Sequence, residues 1–353
     1  MGNKIAIMGV GAVGGYAGAH MAQAGEDVTF IDPWPAHVEK MQRDGLRISH
    51  IRDVPEFTAK VRAMHVTDAQ QLAKEQPIDI AFVCMKSYDT EWATTLISQY
   101  LAPGGYIVSL QNCMNEETIA GVVGWGKTVG CIASSITVDL CEPGHVRRAA
   151  GKSGSRHTVF RTGEVHGRVT DRVKEICRLV SLADSAMVTE NLWGERWSKL
   201  VTNVMGNGLS ACTGMLGKEM VQNDAIRHFS ARLGSEAIRV GQALGYELEE
   251  IIHLDPEIIA RAGEGDAAAT HTYDEHRLKE VSGGGGEHRP SMGQDMVKGR
   301  RTEIEFLNGL VARKGEEIGI ATPANVVLTD IVKRVERGDL KPDPKHITDL
   351  RLN

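Results

Sequence analysis

Five glycines fall within the ten residues of the stretch "GVGAVGGYAG", Gly9–Gly18. Glycine weakens a helix or strand interior by about 0.5–1 kcal/mol relative to alanine, so a compensating gain is required. The stretch follows the apolar run "KIAIM" and opens a helical pattern over Ala12–Ala24. Gly9-x-Gly11-x-x-Gly14 between a strand and a helix is a dinucleotide fingerprint. Gly9 permits the tight turn, Gly11 lets backbone approach a pyrophosphate, and Gly14 lets helix and strand pack closely. The free N–H groups of the first helical turn, at Ala12 and Val13, and the positive end of the helix dipole suit the phosphates. A second strand, "DVTFI", ends at Asp32, 18 residues after Gly14. That is where an acid meets the adenine ribose hydroxyls. A carboxylate repels a 2′-phosphate, and "PWP" follows rather than Arg or Lys, so NAD is expected over NADP. The competing role for Asp32 is to cap a helix beginning near Pro35.

Further along, "DIAFVCM" and "YIVSLQN" read as buried strands, with helical segments at Ala36–Asp44 and Thr90–Leu101 between strands. Strands alternating with helices imply βαβ units and a parallel sheet. "GKTVGCIASSITVDL", "GHVRRAA" and "HTVFRTGE" read as more strands, and Arg168–Leu182 as a helix. From Leu192 helical patterns dominate to about Arg337. The fold class expected is α/β: an N-terminal Rossmann-type parallel-sheet domain (1–190), an all-helical domain (191–340), and a C-terminal tail (341–353). The polar stretch Glu249–Glu287, with "SGGGG" at Ser282–Gly286, reads as a flexible loop or a mobile lid.

A second chemical feature lies in "LWGERWSKLVTNVMGNGLSACTGMLGK". Eighteen uncharged residues separate Lys199 from Lys218, which implies a helix surrounded by protein. Trp193, Trp197, Leu200, Val201 and Val204 form its apolar face. Lys199, Asn203 and Asn207 recur at i, i+4 and i+8 and share a stripe. A lone cation there is costly without a partner or a task; the alternative is a snorkelling surface lysine. A long helix is expected from Ser291, where Ser291-x-x-Gln294 has the form of a capping box. Asp295 and Glu303 would share one face of it.

Taken together, these motifs resemble the ketopantoate reductase family. The matches run in order: "KIAIMGVGAVGG", "CMKSYDT", "LQN", "WSKLVTN", "SMGQD", "TEIEFLNG" and "GIATPAN". The resemblance covers nearly the whole chain. It implies hydride transfer between NAD(H) and C2 of a 2-oxo or 2-hydroxy acid, 2-dehydropantoate or a related one. It also implies that Lys199 is the proton donor and Glu303 the carboxylate that orients it and the substrate. Asn203, Asn207 and Ser291 match substrate-binding positions. Lys86 and Asn112, at the carboxyl ends of strands, match positions near nicotinamide and substrate. Three departures stand out, one being that the polar region Glu249–Glu287 is longer than the family needs. Cys113 replaces the common glycine after "QN", as a small space-filling residue or a reactive thiol. Asp32 stands where the NADPH-using enzymes usually lack an acid, which points to an oxidising, catabolic dehydrogenase for a different secondary alcohol as the alternative.

The remaining composition narrows the partners. With 46 acidic against 40 basic residues and a net charge of -6, the chain lacks the basic footprint of a nucleic-acid binder. No apolar run reaches the roughly 18 residues of a membrane span, and the glycines interrupt what could pass for a secretory leader in the first 24 residues. Six scattered cysteines without CxxC spacing suit reduced thiols in a cytoplasmic protein. "HTYDEH" with His288 lacks metal-ligand spacing, and no metal is expected. A homodimer is expected from family habit. A dinucleotide-sensing protein with a retired active site would be expected to have lost Lys199 or Glu303, and both are present.

Overall fold

The computed structural model describes residues 2–50, 54–134, 136–149, 151 and 157–351. It divides into two compact units, Met1–Leu192 and Trp193–Asn353. The first unit holds strands β1 (Lys4–Met8), β2 (Asp27–Asp32), β3 (Leu46–His50), β4 (Phe57–Ala59), β5 (Arg62–His65), β6 (Ile78–Val83), β7 (Leu101–Ser109), β8 (Thr128–Ala133), β9 (Val138–Glu142), β10 (His145–Arg148), β11 (Phe160–Glu164) and β12 (Ala186–Val188). Its helices are α1 (Ala12–Gln23), α2 (Pro35–Asp44), α3 (Thr90–Ser98), α4 (Glu116–Val123) and α5 (Asp171–Ser181).

Eight strands form one sheet in the order β12-β11-β8-β7-β6-β1-β2-β5. From β5 to β8 every pairing is parallel, and β11 then runs antiparallel to β8. The strand order reverses at β1, which pairs with β2 on one side and β6 on the other. Ligands of open α/β sheets bind outside the carboxyl ends of the strands at such a switch point. β1 is buried throughout, and its side chains alternate between two cores. Ile5 and Ile7 join Tyr16, Val173 and Ile176; Ala6 and Met8 join Ala93, Ile97 and Ile119. Burial on both faces explains why these strands read as continuous apolar runs.

A second sheet, β4-β3-β10-β9, has no local signature in the sequence. Its strands are short and partly polar, and its central β10–β3 pairing is parallel between segments far apart in the chain. This sheet explains the composition of α1, which is buried from Gly14 to Met21. A Cβ on Gly15 would lie 3.1 Å from Val146 of the small sheet, and one on Gly18 would lie 2.7 Å from Phe30 of the large sheet. Only a slim helix fits between two sheets this close.

The second unit is helical: α6 (Leu192–Val204, whose first residue closes the first unit), α7 (Asn207–Thr213), α8 (Gly217–Gln222), α9 (Asp224–Ala243), α10 (Pro256–Gly263), α11 (Ala267–Ser282), α12 (Ser291–Val297), α13 (Asn308–Ile318), α14 (Pro323–Glu336) and α15 (Lys345–Thr348). No helix among the described residues is long and apolar enough to cross a membrane. α7 is buried along its whole length. α12 crosses it where Gly293 meets Ser210, and α14 where Leu328 meets Gly208. Near the C-terminus, Asp343 N–H donates to Cys212 O at 2.9 Å and Ile347 is buried.

Three sequence expectations are corrected here. The stretch 249–287 is mostly helical, not a loop. Asp255 and Asp266 cap α10 and α11 by accepting from Glu257 N and Ala269 N, at 2.7 and 2.9 Å. Only Ala269, Tyr273 and Val281 of α11 are buried, too narrow a stripe to register as a pattern. The long helix from Ser291 is broken: α12 ends at Val297, Gly299 turns the chain at φ +62°, and a single 3-10 turn at Ile304–Phe306 precedes α13. Glutamate 336 holds the connecting segment, accepting from Thr302 N at 2.8 Å and Thr302 Oγ1 at 2.5 Å. The single helix carrying Lys199, Asn203 and Asn207 is likewise two helices, parted at Met205–Gly206.

Candidate active site

The glycine turn follows β1 directly. Gly9 has φ +93°, and a Cβ there would lie 2.5 Å from Met85 Sδ and 3.0 Å from Met85 N. A Cβ on Gly14 would lie 2.3 Å from Gly9 O and 2.7 Å from Cys84 Cβ. Gly11 differs: a Cβ there would meet nothing within 4 Å. Gly11 is the N-cap of α1, no side chain caps the helix, and its first turn, including Ala12 and Val13, carries no acid. An uncapped N-terminus beside open space fits the phosphates of a dinucleotide.

Asp32 closes the turn from β2. Its Oδ2 accepts Val10 N–H at 2.7 Å and its Oδ1 accepts Trp34 N–H at 2.9 Å. Trp34 is the N-cap of α2. The carboxylate therefore ties both the glycine turn and the start of α2. An ionised carboxyl has about four acceptor positions, so capacity remains for ribose hydroxyls.

Lys86 and Asn112 lie half-buried just past the carboxyl ends of β6 and β7. Two carboxamides that the motifs do not single out fix these loops. Gln111 Nε2 donates to Met85 O and to Thr90 Oγ1, both at 2.8 Å. Asn115 Nδ2 donates to Ser87 Oγ at 3.1 Å and Asn112 O at 2.7 Å. Cys113 is buried with φ +66°. A non-glycine residue held in a sparsely populated backbone region costs about 1–3 kcal/mol, which explains why a glycine suits this position. Burial raises the thiol pKa of Cys84 behind the turn, so that cysteine acts as packing.

In the second unit, Lys199 lies on α6, half-buried, and desolvation lowers its pKa. Among the described residues it has no carboxylate or hydrogen-bond partner, so the structure does not pair it with Glu303. One turn on, Asn203 Nδ2 is buried and likewise without a partner among the described residues. A buried donor of this kind costs about 1–3 kcal/mol while unmade; a ligand acceptor would satisfy it. Asn207 is buried in the first turn of α7. Ser291 is exposed at the start of α12, and the expected capping box is absent: Pro290 holds the cap position and Gln294 Nε2 donates to Arg289 O at 3.0 Å. Asp295 and Glu303 are both buried, but on separate segments rather than one helix face.

The segment carrying Glu303 is anchored beside α6 and α7. Asn308 Nδ2 donates to Val204 O at 3.2 Å and Asn325 Oδ1 at 2.9 Å. A Cβ on Gly208 would lie 3.1 Å from Ile304 Cδ1. Glu236 completes the support, accepting from Ala324 N, Asn325 N and Asn325 Nδ2 at 2.9, 3.0 and 2.8 Å. Burial raises its pKa against the pull of those donors. The asparagines of "FLNG" and "TPAN" thus serve as scaffold.

Comparison with known proteins places the chain in a family. The family model "Ketopantoate reductase PanE/ApbA" matches residues 5–158, and its C-terminal counterpart matches residues 191–336. A 2-dehydropantoate 2-reductase of Archaeoglobus fulgidus is 30% identical, over 95% of this chain and 98% of its own. The crystal structure of a PanE/ApbA family ketopantoate reductase from Ralstonia eutropha JMP134 superposes with a TM-score of 0.76 at 27% identity, covering 95% of this chain and 99% of that one. D-Mandelate dehydrogenase, solved with NADH and anilino(oxo)acetate, shares the fold with a TM-score of 0.77 at 24% identity, covering 95% and 99% of the two chains. The chain belongs to the ketopantoate reductase family of oxidoreductases.

Proposed function

We propose that this enzyme interconverts a 2-oxo acid and its 2-hydroxy acid, 2-dehydropantoate and pantoate or a related pair, with NAD(H) preferred over NADP(H). The observation that carries the acid half is Lys199, a desolvated cation without a carboxylate partner among the described residues. A desolvated cation of this kind is stabilised by an anionic ligand and can donate a proton.

When bound, a reduced nicotinamide would supply the hydride to C2. The Lys199 ammonium donates its proton to the C2 oxygen and stabilises the charge that develops there; in oxidation the neutral amine takes that proton back. Asn203 Nδ2 and Asn207 hold the acid, Ser291 lies at its outer end, and Glu303 orients it. Gly9, Gly11, Ala12, Val13 and Gly14 hold the pyrophosphate, and Asp32 the adenine ribose. Lys86 and Asn112 flank the nicotinamide and the substrate. The helical unit carries substrate binding and the contacts of a homodimer, for which exposed Val297, Ile318 and Val326 offer apolar surface. Six scattered cysteines without CxxC spacing suit the cytoplasm.

Initial rates with NADH and NADPH across a panel of 2-oxo acids test this reading. 2-Dehydropantoate belongs in the panel because relatives bear that name, and an aryl 2-oxo acid because of the ligand named for D-mandelate dehydrogenase. NADH is expected to exceed NADPH at least tenfold in kcat/KM; equal or better use of NADPH overturns the NAD assignment. A hydroxy acid other than pantoate, oxidised fastest by NAD, would favour the catabolic dehydrogenase.

A further inference from the structure

Val10, the residue between Gly9 and Gly11, is held at both of its backbone polar groups. Its N–H is taken by Asp32, as described. Its C=O lies 2.9 Å from Nε2 of His37, a fully buried residue of α2. The other ring nitrogen, Nδ1, accepts Gly144 N–H at 2.8 Å. An imidazole nitrogen that accepts carries no proton, so the proton of the neutral ring lies on Nε2, which therefore donates to Val10 O. Burial lowers the pKa of His37 and favours that neutral ring. Gly144 is itself fixed. It lies between β9 and β10 at φ +72°, a Cβ there would lie 2.5 Å from Lys40 Cγ, and its carbonyl accepts Arg47 N–H at 2.9 Å.

We propose that His37 is a positioning residue for nucleotide binding: it links the turn of the small sheet to the Val10 carbonyl and, with Asp32, sets the peptide orientation of the glycine turn. This rests on the nucleotide reading of that turn. It also gives the small sheet a role besides covering α1. The sequence offers one faint signal for it, a histidine on the buried stripe of α2 with Val38 and Met41. Since His37 touches neither phosphate nor reacting atoms in this account, it acts on nucleotide affinity rather than on the chemical step.

The test is a fluorescence titration with NADH and NADPH of the unaltered protein and of His37→Gln, His37→Asn and His37→Leu. Thermal midpoints are taken without nucleotide, and kcat at saturating nucleotide. Glutamine can place an N–H where Nε2 lies; asparagine is too short, and leucine has no donor. We expect His37→Gln to bind within about threefold of the unaltered protein, and His37→Asn and His37→Leu about tenfold more weakly, the loss of one buried hydrogen bond, with kcat preserved. Unaltered binding by His37→Asn or His37→Leu, or equal weakening in all three variants, overturns the proposal. If His37→Leu fails to fold, the Gln–Asn contrast decides. Absence of saturable binding of either nucleotide by the unaltered protein overturns the nucleotide reading and this proposal with it.

Discussion

Asp32→Asn changes one oxygen of a buried carboxylate to an NH2 group, and the geometry gives the consequence. Both oxygens now accept backbone N–H groups, from Val10 at 2.7 Å and Trp34 at 2.9 Å. An asparagine has one acceptor oxygen, so its NH2 must face one of those donors. That N–H is left unmade, which costs about 1–3 kcal/mol for the buried Val10 donor and less for the part-buried Trp34 donor. The surviving bond becomes neutral and loses roughly half its strength. Together these cost about 2–3 kcal/mol, and a domain of this size loses about 2–4 °C of melting temperature per kcal/mol. Differential scanning calorimetry without nucleotide should therefore show the transition of the first unit about 4–12 °C lower. The same variant, titrated with NADH and NADPH, should discriminate less between them, because the charge that repels a 2′-phosphate is gone. An unchanged midpoint would refute the claim that Asp32 ties the turn, whatever happens to nucleotide preference.

The other predictions concern the helical unit. Lys199→Ala should lower turnover by about 100-fold or more, as loss of a general acid does; near-normal turnover removes Lys199 from that role. Because desolvation lowers the Lys199 pKa, reduction should fall as pH rises through a value below the usual lysine range. Oxidation, which needs the neutral amine, should rise through the same value. A pH–rate profile without that opposed pair of limbs would contradict the assignment. Glu236→Ala strands three donors at the start of α14, and urea unfolding should show a loss of about 3 kcal/mol, with the Michaelis constant for nucleotide unchanged.

The two units differed in how far the sequence disclosed them. In the first, the glycine turn needs its residue types for local steric reasons, and strands buried on both faces leave long apolar runs. Both signals are local. The small sheet is not, since Val146 and Ile48 pair across almost a hundred residues. The second role of Asp32 was also out of reach: an acid after β2 announces ribose or helix cap, and only coordinates show one carboxylate holding two backbone donors. In the helical unit, apolar spacing located helices but not their breaks. Gly206 and Gly299 end segments that read as continuous, and α11 is so polar that it read as loop. The motifs at Lys199, Asn203 and Glu303 were legible as residue types. That Asn308 and Asn325 in neighbouring motifs are scaffold became visible only through their buried bonds to Val204 O and Glu236.

The central claim is hydride transfer to C2 of a 2-oxo acid, and isotope transfer tests it most directly. The enzyme is incubated with NADH carrying two deuterium atoms at C4 and the 2-oxo acid it turns over fastest, and the product is analysed by mass spectrometry and proton NMR. The account predicts a 2-hydroxy acid one mass unit heavier than that from ordinary NADH, with the C2 proton signal absent. A product without deuterium at C2, or no product from any 2-oxo acid with either nicotinamide nucleotide, would contradict it.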